Sequence, residues 1–387
     1  MTDRLIYLDY AASTPVDERV ARLMLECRET NYANPSSNHA AGRKSAATIA
    51  TAADQVGGLL NVAPGTIIWT SGATESDNLA IAGGANFRAY RGKHLVTMPT
   101  EHKAVTDVFR QLEKQGFEVT WLEPDENGRL HPDRFAAALR ADTQLASIMY
   151  VNNETGVMQD IAALGSICRE HDVLFHVDAA QAAGKVPIDL GVLHVDLLSL
   201  TGHKFYGPKG IGALYVADRP GCRVQPILFG GGQQRRIRPG TLPTDLIAGL
   251  GLAADIAASS IDADLHHLKA LRETLWEGIR DVDGVLVNGD LESGFPGILS
   301  VSVDDVEGES LMLALEPICV ATGSACNAQV QEPSYVLRAL GRSDDLAQSA
   351  IRFSLGRPTR EEDVVFAARR YCEAVARLRE LAPEVAA

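Results

Sequence analysis

Along the first two thirds of the chain, apolar positions fall in short, nearly unbroken runs: "TIIWTSG" (66–72), "HLVTMP" (94–99), "FEVTWLEP" (117–124), "LASIMYVNN" (145–153), "VLFHVDAAQ" (173–181), "VDLLSLTGHK" (195–204) and "IGALYVAD" (211–218). Such runs, bounded by turn residues, predict strands buried on both faces. Between several of them lie amphipathic stretches such as "DIAALGSICREHD", whose apolar positions recur at helical spacing. Buried strands alternating with helices predict an α/β fold with a mainly parallel seven-stranded sheet covered by helices. Ligands on such sheets bind beyond the carboxyl ends of the strands.

The pattern changes after residue 260. A long helix is predicted through "DADLHHLKALRETLWEGIRDV", followed by hairpin-like strands, a loop of small residues around Cys326, "IRFSLGR", and a last helix opened by a capping box of Thr359 and Glu362. The expected organisation is a large domain over 15–259 and a smaller α+β domain made of 1–14 and 260–387.

Composition narrows the function classes. The 387 residues carry a formal charge of −14, which excludes a nucleic-acid-binding face as the main business and leaves only a local basic patch, Arg235, Arg236 and Arg238. The start of the chain has no apolar leader core. The apolar run "LIAGLGLAA", between Asp245 and Asp255, is too short to span a bilayer. No membrane association is expected, and the predicted compartment is the cytoplasm. Six cysteines (27, 168, 222, 319, 326 and 372) form no CxxC pair and no zinc-type spacing with histidine, so neither a metal site nor a disulfide framework is predicted. Cys27, Cys168 and Cys372 read as small core residues. Cys326, in "TGSACNAQ", does not.

The candidate chemistry sits at strand ends. "TIIWT" opens into Gly72, Ala73 and Thr74 at the start of a helical stretch, where backbone amides can cradle a phosphate; an ordinary N-cap is the plainer alternative. Asp178 ends an apolar strand, where a carboxylate is costly unless it meets a cation or a proton. Thr201, His203 and Lys204 end the next one. A lysine in a mostly buried strand-end loop suits Schiff-base chemistry, although an isolated "GHK" reads as an exposed loop. Taken together, the residues ask for pyridoxal 5′-phosphate, which needs a lysine, a carboxylate at its ring nitrogen and a phosphate cup at a helix N-terminus. His102, in "TEHKAV", could lie over the ring.

At this point ten motifs in order, from "YLDYAASTPVD", "NPSSNHAAG" and "TSGATESDNLAI" to "SACNAQVQEPSYVLRALG" and "IRFSLGR", resemble the cysteine desulfurases of the NifS/IscS group, in the class V branch of fold-type I pyridoxal-phosphate enzymes. The resemblance runs nearly end to end. It implies Lys204 as the lysine that bonds the cofactor, Asp178 at the ring nitrogen, Gln181 at the ring hydroxyl and His102 stacked on the ring. It further implies Gly72, Ala73, Thr74, Thr201 and His203 at the phosphate, with Thr241 reaching the phosphate of the other subunit of a homodimer. Arg352 is implied as the two-pronged ligand of the substrate carboxylate, with Asn153 nearby and Asn34 at the pocket.

The implied activity converts L-cysteine to L-alanine and leaves a persulfide on Cys326. That sulfur would pass to a protein acceptor serving iron–sulfur assembly, tRNA or DNA thiolation, or another thio-cofactor; direct nucleic-acid binding is not expected. Thr201 stands where the group usually has serine, Pro239 replaces a small residue, and "NAQVQ" follows the cysteine in place of a Thr-Ser-Ala type of continuation. The chain also stops soon after its last helix, without the longer tail by which housekeeping relatives dock an iron–sulfur scaffold. Rival readings part at single residues. A selenocysteine lyase would work without Cys326, an aminotransferase or kynureninase-like enzyme needs no nucleophilic cysteine, and a non-enzymatic scaffold would have no need of Lys204 or Asp178.

Overall fold

The structure, a computed structural model, describes residues 4–322 and 332–381; Cys326 lies outside the described residues. After a two-residue strand β1 (Ile6–Tyr7), all seven predicted strands form one sheet. They are β2 (Ile67–Thr70), β3 (His94–Thr97), β4 (Glu118–Trp121), β5 (Thr143–Ser147), β6 (Leu174–Asp178), β7 (Leu197–Thr201) and β8 (Gly212–Val216), in the order β2-β8-β7-β6-β5-β3-β4. The pairs β3/β4, β3/β5, β5/β6 and β6/β7 are parallel, whereas β8 runs antiparallel to β2 and β7.

Strand alternation divides the core in two. Leu145, Leu174 and Leu197 point to the face covered by α3 (Ala73–Arg88) and α4 (Lys103–Lys114), against Leu79, Ile81, Val105 and Phe109. Ala146, Phe175, Val177, Leu198 and Leu200 point to the opposite core. That core takes in α1 (Glu18–Thr30), α2 (Ala40–Leu60), α5 (Pro132–Ala138), α6 (Ile161–Glu170) and α7 (Thr244–Ile279).

Helix α7 is one continuous element of 36 residues, so the expected division at 259/260 falls inside a helix. Its sequence contains no proline, and its small residues let it lie against α1, α2 and α11 (Glu361–Leu381). The run "LIAGLGLAA" is therefore part of a longer helix, which by length and composition alone could cross a membrane. Over half of its most apolar window, 56%, is buried inside the protein, as in a core helix.

The second sheet is antiparallel, β12-β13-β10-β9, built from β9 (Val285–Val287), β10 (Ile298–Val303), β12 (Ala321–Thr322) and β13 (Ile351–Ser354). β11 (Ile318–Cys319) pairs in parallel with β1. Helices α8 (Gly308–Ala314), α9 (Tyr335–Ala339) and α10 (Asp344–Gln348) complete this part. Residues 6–14 form a strap between the two sheets. Leu8 N–H donates to Cys319 O and Ser354 N–H to Leu8 O, while Thr14 N–H reaches His203 O beside the central sheet.

One local expectation is corrected. The cap of α11 stands one residue later than predicted: Asp363 accepts from Arg360 N–H at 3.1 Å, and Glu362 pairs instead with Arg4 and Arg360. The Thr359 hydroxyl is already engaged by the preceding turn, where it accepts from Gly356 N–H at 3.0 Å.

Candidate active site

A cleft of about 650 Å³ opens at the carboxyl ends of the central strands, with Lys204, Asp178, His102, Thr74 and Arg352 among its walls. Lys204 follows β7 in a tight turn, Gly202–Lys204, seated by the fully buried Phe205. Its Nζ donates to Ala11 O at 2.5 Å and Ala12 O at 2.9 Å, so the N-terminal strap orients the amine.

Asp178, the last residue of β6, is 4% exposed and accepts from Ala180 N–H at 2.8 Å. Burial raises its pKa, opposed by that hydrogen bond and by the charges of His102 and Lys204. His102 caps α4, its Nδ1 accepting from Ala104 N–H at 3.1 Å, so the neutral ring carries its proton on Nε2. Burial lowers the pKa of His102 and favours that neutral ring, with Asp178 pulling the other way.

The turn between β2 and α3 leaves a helix end without a side-chain cap. Gly72 is the N-cap, and the first amide to bond within the helix is Ser76 N–H, to Gly72 O at 3.1 Å. The amides of residues 73–75 are thus the orphan donors of a sixteen-residue helix, and these residues line the cleft with Thr201 and His203. Close approach of β8 fixes the turn: a Cβ on Gly212 would stand 2.7 Å from Gly72 Cα and 2.5 Å from Leu200 O. Burial, then the charges of Lys204, Lys209 and Lys185, pushes His203 down to about 4, so it serves as a neutral ring.

Arg352 enters from β13. Its Nη2 meets Asp9 Oδ1 at 2.6 Å and its Nη1 donates to Asn153 O at 2.8 Å, while its buried Nε has no partner among the described residues. Asn153 thus joins the site through its backbone carbonyl. Two predicted residues lie elsewhere: Asn34 and Thr241 share a separate hollow with Cys27 and Asp245. Asn34 is occupied locally, its Oδ1 accepting from Ser36 N–H at 2.9 Å in a turn ahead of α2, and it does not enter the Lys204 cleft of its own chain.

Several residues of the site were not singled out in the sequence. Asp9, the partner of Arg352, lies between two tyrosines in the strap, and only that acidic interruption signals it. Asp77, on α3, is 1% exposed and neither carboxyl oxygen has a hydrogen-bond partner among the described residues; burial and then Asp178 raise its pKa well above the carboxylate range. Its nearest basic group is His176 Nε2 at 3.5 Å, a buried ring held at about 3 by desolvation and hydrogen-bonded to Ser147 and Ser199. Glu154 is raised to about 7 by burial and accepts from the Ser334 hydroxyl at 2.5 Å. Lys185 donates to Gln181 Oε1 at 2.6 Å.

These residues fit pyridoxal 5′-phosphate on structural grounds. An uncapped helix N-terminus with two hydroxyls suits the phosphate, a desolvated Asp178 is satisfied by a protonated ring nitrogen, and a lysine stands between them. A mainly parallel seven-stranded sheet with these groups beyond its strand ends defines a pyridoxal-phosphate enzyme of fold type I.

The family model for class-V aminotransferases matches residues 6–365. The cysteine desulfurase IscS of Methylococcus capsulatus is 55% identical over 98% of this chain and 94% of its own length. Among solved structures, a NifS-like protein superposes with a TM-score of 0.90 at 34% identity, covering 97% of this chain and 100% of its own. SspA in complex with cysteine gives 0.80 at 37% identity, over 91% and 99% respectively. The chain belongs to the class-V aminotransferase family, on its NifS/IscS cysteine desulfurase branch. Pyridoxal 5′-phosphate is its cofactor.

Proposed function

We propose that Cys326 is the sulfur carrier of a cysteine desulfurase built on this cleft. The protein takes L-cysteine to L-alanine and retains the sulfur as an enzyme persulfide. What carries the reading is the convergence of Lys204, Asp178 and Arg352 on one cleft, whose wall includes Ala321. Ala321 pairs with Arg352 across β12 and β13, and Cys326 follows β12 in the sequence.

Arg352 holds the substrate carboxylate, kept in place by Asp9 and the Asn153 carbonyl. Lys204 Nζ takes the proton from Cα; the Ala11 and Ala12 carbonyls hold it in position to do so. The bound cofactor supplies the sink for the electrons left at Cα. When the cofactor is bound, Asp178 would keep its ring nitrogen protonated and His102, with its proton on Nε2, would stack on the ring. Gln181 would donate to the ring hydroxyl, and Gly72, Ala73, Thr74, Thr201 and His203 would hold the phosphate.

The Cys326 thiolate attacks the substrate sulfur. The S–S bond forms as the substrate Cβ–S bond breaks, and its electron pair stays with the carbon skeleton. Two protons restore alanine, so cysteine carbon is reduced while the enzyme thiol is oxidised to persulfide. A protein acceptor thiolate then removes the outer sulfur.

The working form is a homodimer in which Thr241, exposed and outside the cleft of its own chain, reaches the partner's phosphate. The compartment is the cytoplasm, in keeping with five free cysteines among the described residues.

The test is alanine formation from L-cysteine together with mass spectrometry of Cys326. Wild type should yield alanine and gain one sulfur at that residue, and Cys326→Ala should do neither while keeping the cofactor spectrum. A Cys326→Ala variant that desulfurates at the full rate would overturn the assignment.

A further inference from the structure

Lys185 is a second lysine beside the site, and no step of the reaction above uses it. It lies one turn past Gln181 and lines a narrow cavity of about 30 Å³ whose walls Lys204 and Ala11 share with the cleft. Its Nζ donates to Gln181 Oε1 at 2.6 Å and stands 5.7 Å from the ring centroid of Phe295. Desolvation, then the like charges of Lys204 and Arg352, push its pKa well down, so holding an amine here costs free energy that an apolar side chain would not.

The neighbouring hydrogen bonds show what that cost maintains. Gln181 lies between a donor and an acceptor: Lys185 gives to its Oε1, and its Nε2 gives to Ala11 O at 2.7 Å. A side-chain amide looks nearly the same in either orientation, and its partners decide which end is which. Here both partners agree. The carbonyl faces Lys185, and Nε2, which lies on the side of Ala11 and Lys204, keeps a second N–H. Lys204 Nζ is on the same Ala11 carbonyl at 2.5 Å, so the chain Lys185–Gln181–Ala11–Lys204 is continuous. Without the Lys185 donor, the buried Gln181 carbonyl would need another, and the Lys204 amine is at hand.

We propose that Lys185 is a positioning residue that turns the N–H end of Gln181 to the cofactor and keeps its carbonyl off Lys204. This rests on the reading of Gln181 as the partner of the ring hydroxyl. An N–H donor on that oxygen favours its anionic form and so lowers the pH at which the bound cofactor's visible band titrates. Losing the donor raises that pH. A hydrogen bond to a charged group is worth roughly 1.5–3 kcal/mol, or about one to two pH units.

The experiment is a spectral pH titration of cofactor-loaded wild type, Lys185→Met, Gln181→Leu and the double variant, with Lys185→Arg as the donor-retaining control. Lys185→Met should raise the midpoint by about one unit, Gln181→Leu by at least as much, and the double variant no further than Gln181→Leu. Lys185→Arg should return the midpoint towards wild type. Loss of a positive charge alone also raises the midpoint, but it does so equally with or without Gln181. Additive shifts in the double variant would therefore overturn the proposal, as would an unmoved midpoint in Lys185→Met. A shift absent in Gln181→Leu would instead remove the ring-hydroxyl reading on which the proposal rests, and the proposal with it. Should Lys185→Met fail to fold, Lys185→Gln, which removes the charge and keeps an amide donor, carries the same cycle: a midpoint near wild type supports positioning, and a full shift overturns it.

Discussion

On the sheet side of the cleft, Asp77, Glu101 and Asp178 are buried carboxyls whose pKa values desolvation raises, whereas on the facing side Asp9 and Arg352 meet as an ion pair at 2.6 Å. The first group sits on or just beyond strands and helices of the central sheet, and the second on the strap and β13. Desolvated acids favour a partner that brings them a proton or a positive charge, and a rigid wall of this kind suits a permanently bound aromatic cofactor, whose protonated ring nitrogen pairs with the Asp178 carboxylate. A paired arginine with unused donors suits a ligand that comes and goes, because its charge is already oriented before the substrate arrives. One side of the cleft is made for residence and the other for exchange.

The strongest way to break this comparison is at Lys204, where the two sides meet. Lys204→Ala should lower desulfuration by about 10³-fold or more, roughly 4 kcal/mol in barrier, through loss of its proton transfer. The band of the lysine-bound cofactor should also be missing from its spectrum.

Glu154 tests the cost of the desolvated side. It ionises near 4.5 in the unfolded chain and at about 7 in the folded protein, which therefore binds the proton more tightly. Stability from this group is complete below 4.5, falls as pH rises through the window from 4.5 to about 7, and is flat above. Glu154→Gln should abolish that slope, leaving the cofactor-free variant on the order of 3 kcal/mol more stable than wild type at pH 8 and level with it at pH 4. Denaturant titration at the two pH values reads the difference, and equal slopes for the two proteins would refute it.

Arg352→Ala addresses the exchanging side. Its KM for L-cysteine should rise about ten- to a hundred-fold, the worth of charged hydrogen bonds of roughly 2 kcal/mol, with cofactor affinity unchanged. A loss of cofactor instead would mean that the two sides are not separable. An indirect effect is expected at Gly212, behind the Gly72 turn. Gly212→Ala would press on the backbone of Gly72 and Leu200, and a cost of about 1–3 kcal/mol should appear as weaker cofactor binding at unchanged KM.

The resident side of the site was the more legible of the two in the sequence. Asp178 ends a buried apolar run, where a carboxylate needs a partner, and together with the Thr201–Lys204 turn at the end of the next buried strand it pointed to the site. Lys185 and Asp77 escaped because their local surroundings, "AAGKVP" and "TESDNL", read as an exposed loop lysine and the polar face of a helix; only the tertiary neighbours desolvate them. Asp9 escaped because its partner lies 343 positions away. The helix α7 was read as starting after its first half because alanine and glycine carry little periodic contrast, and the cap of α11 shifted because a turn had already taken the threonine.

The strap carries a further consequence, for the order of events during synthesis. Residues 8 and 11 are made before the groups they bond, so Leu8 O waits for Ser354 and the Ala11 carbonyl for Lys204. A nascent chain that has completed the central sheet already holds Asp178, His102 and the α3 cradle, while Arg352 is still to be made. The cofactor can thus be offered a nearly finished seat before the protein has any means of holding its amino acid, so a partly made chain is kept from sulfur chemistry by its own length.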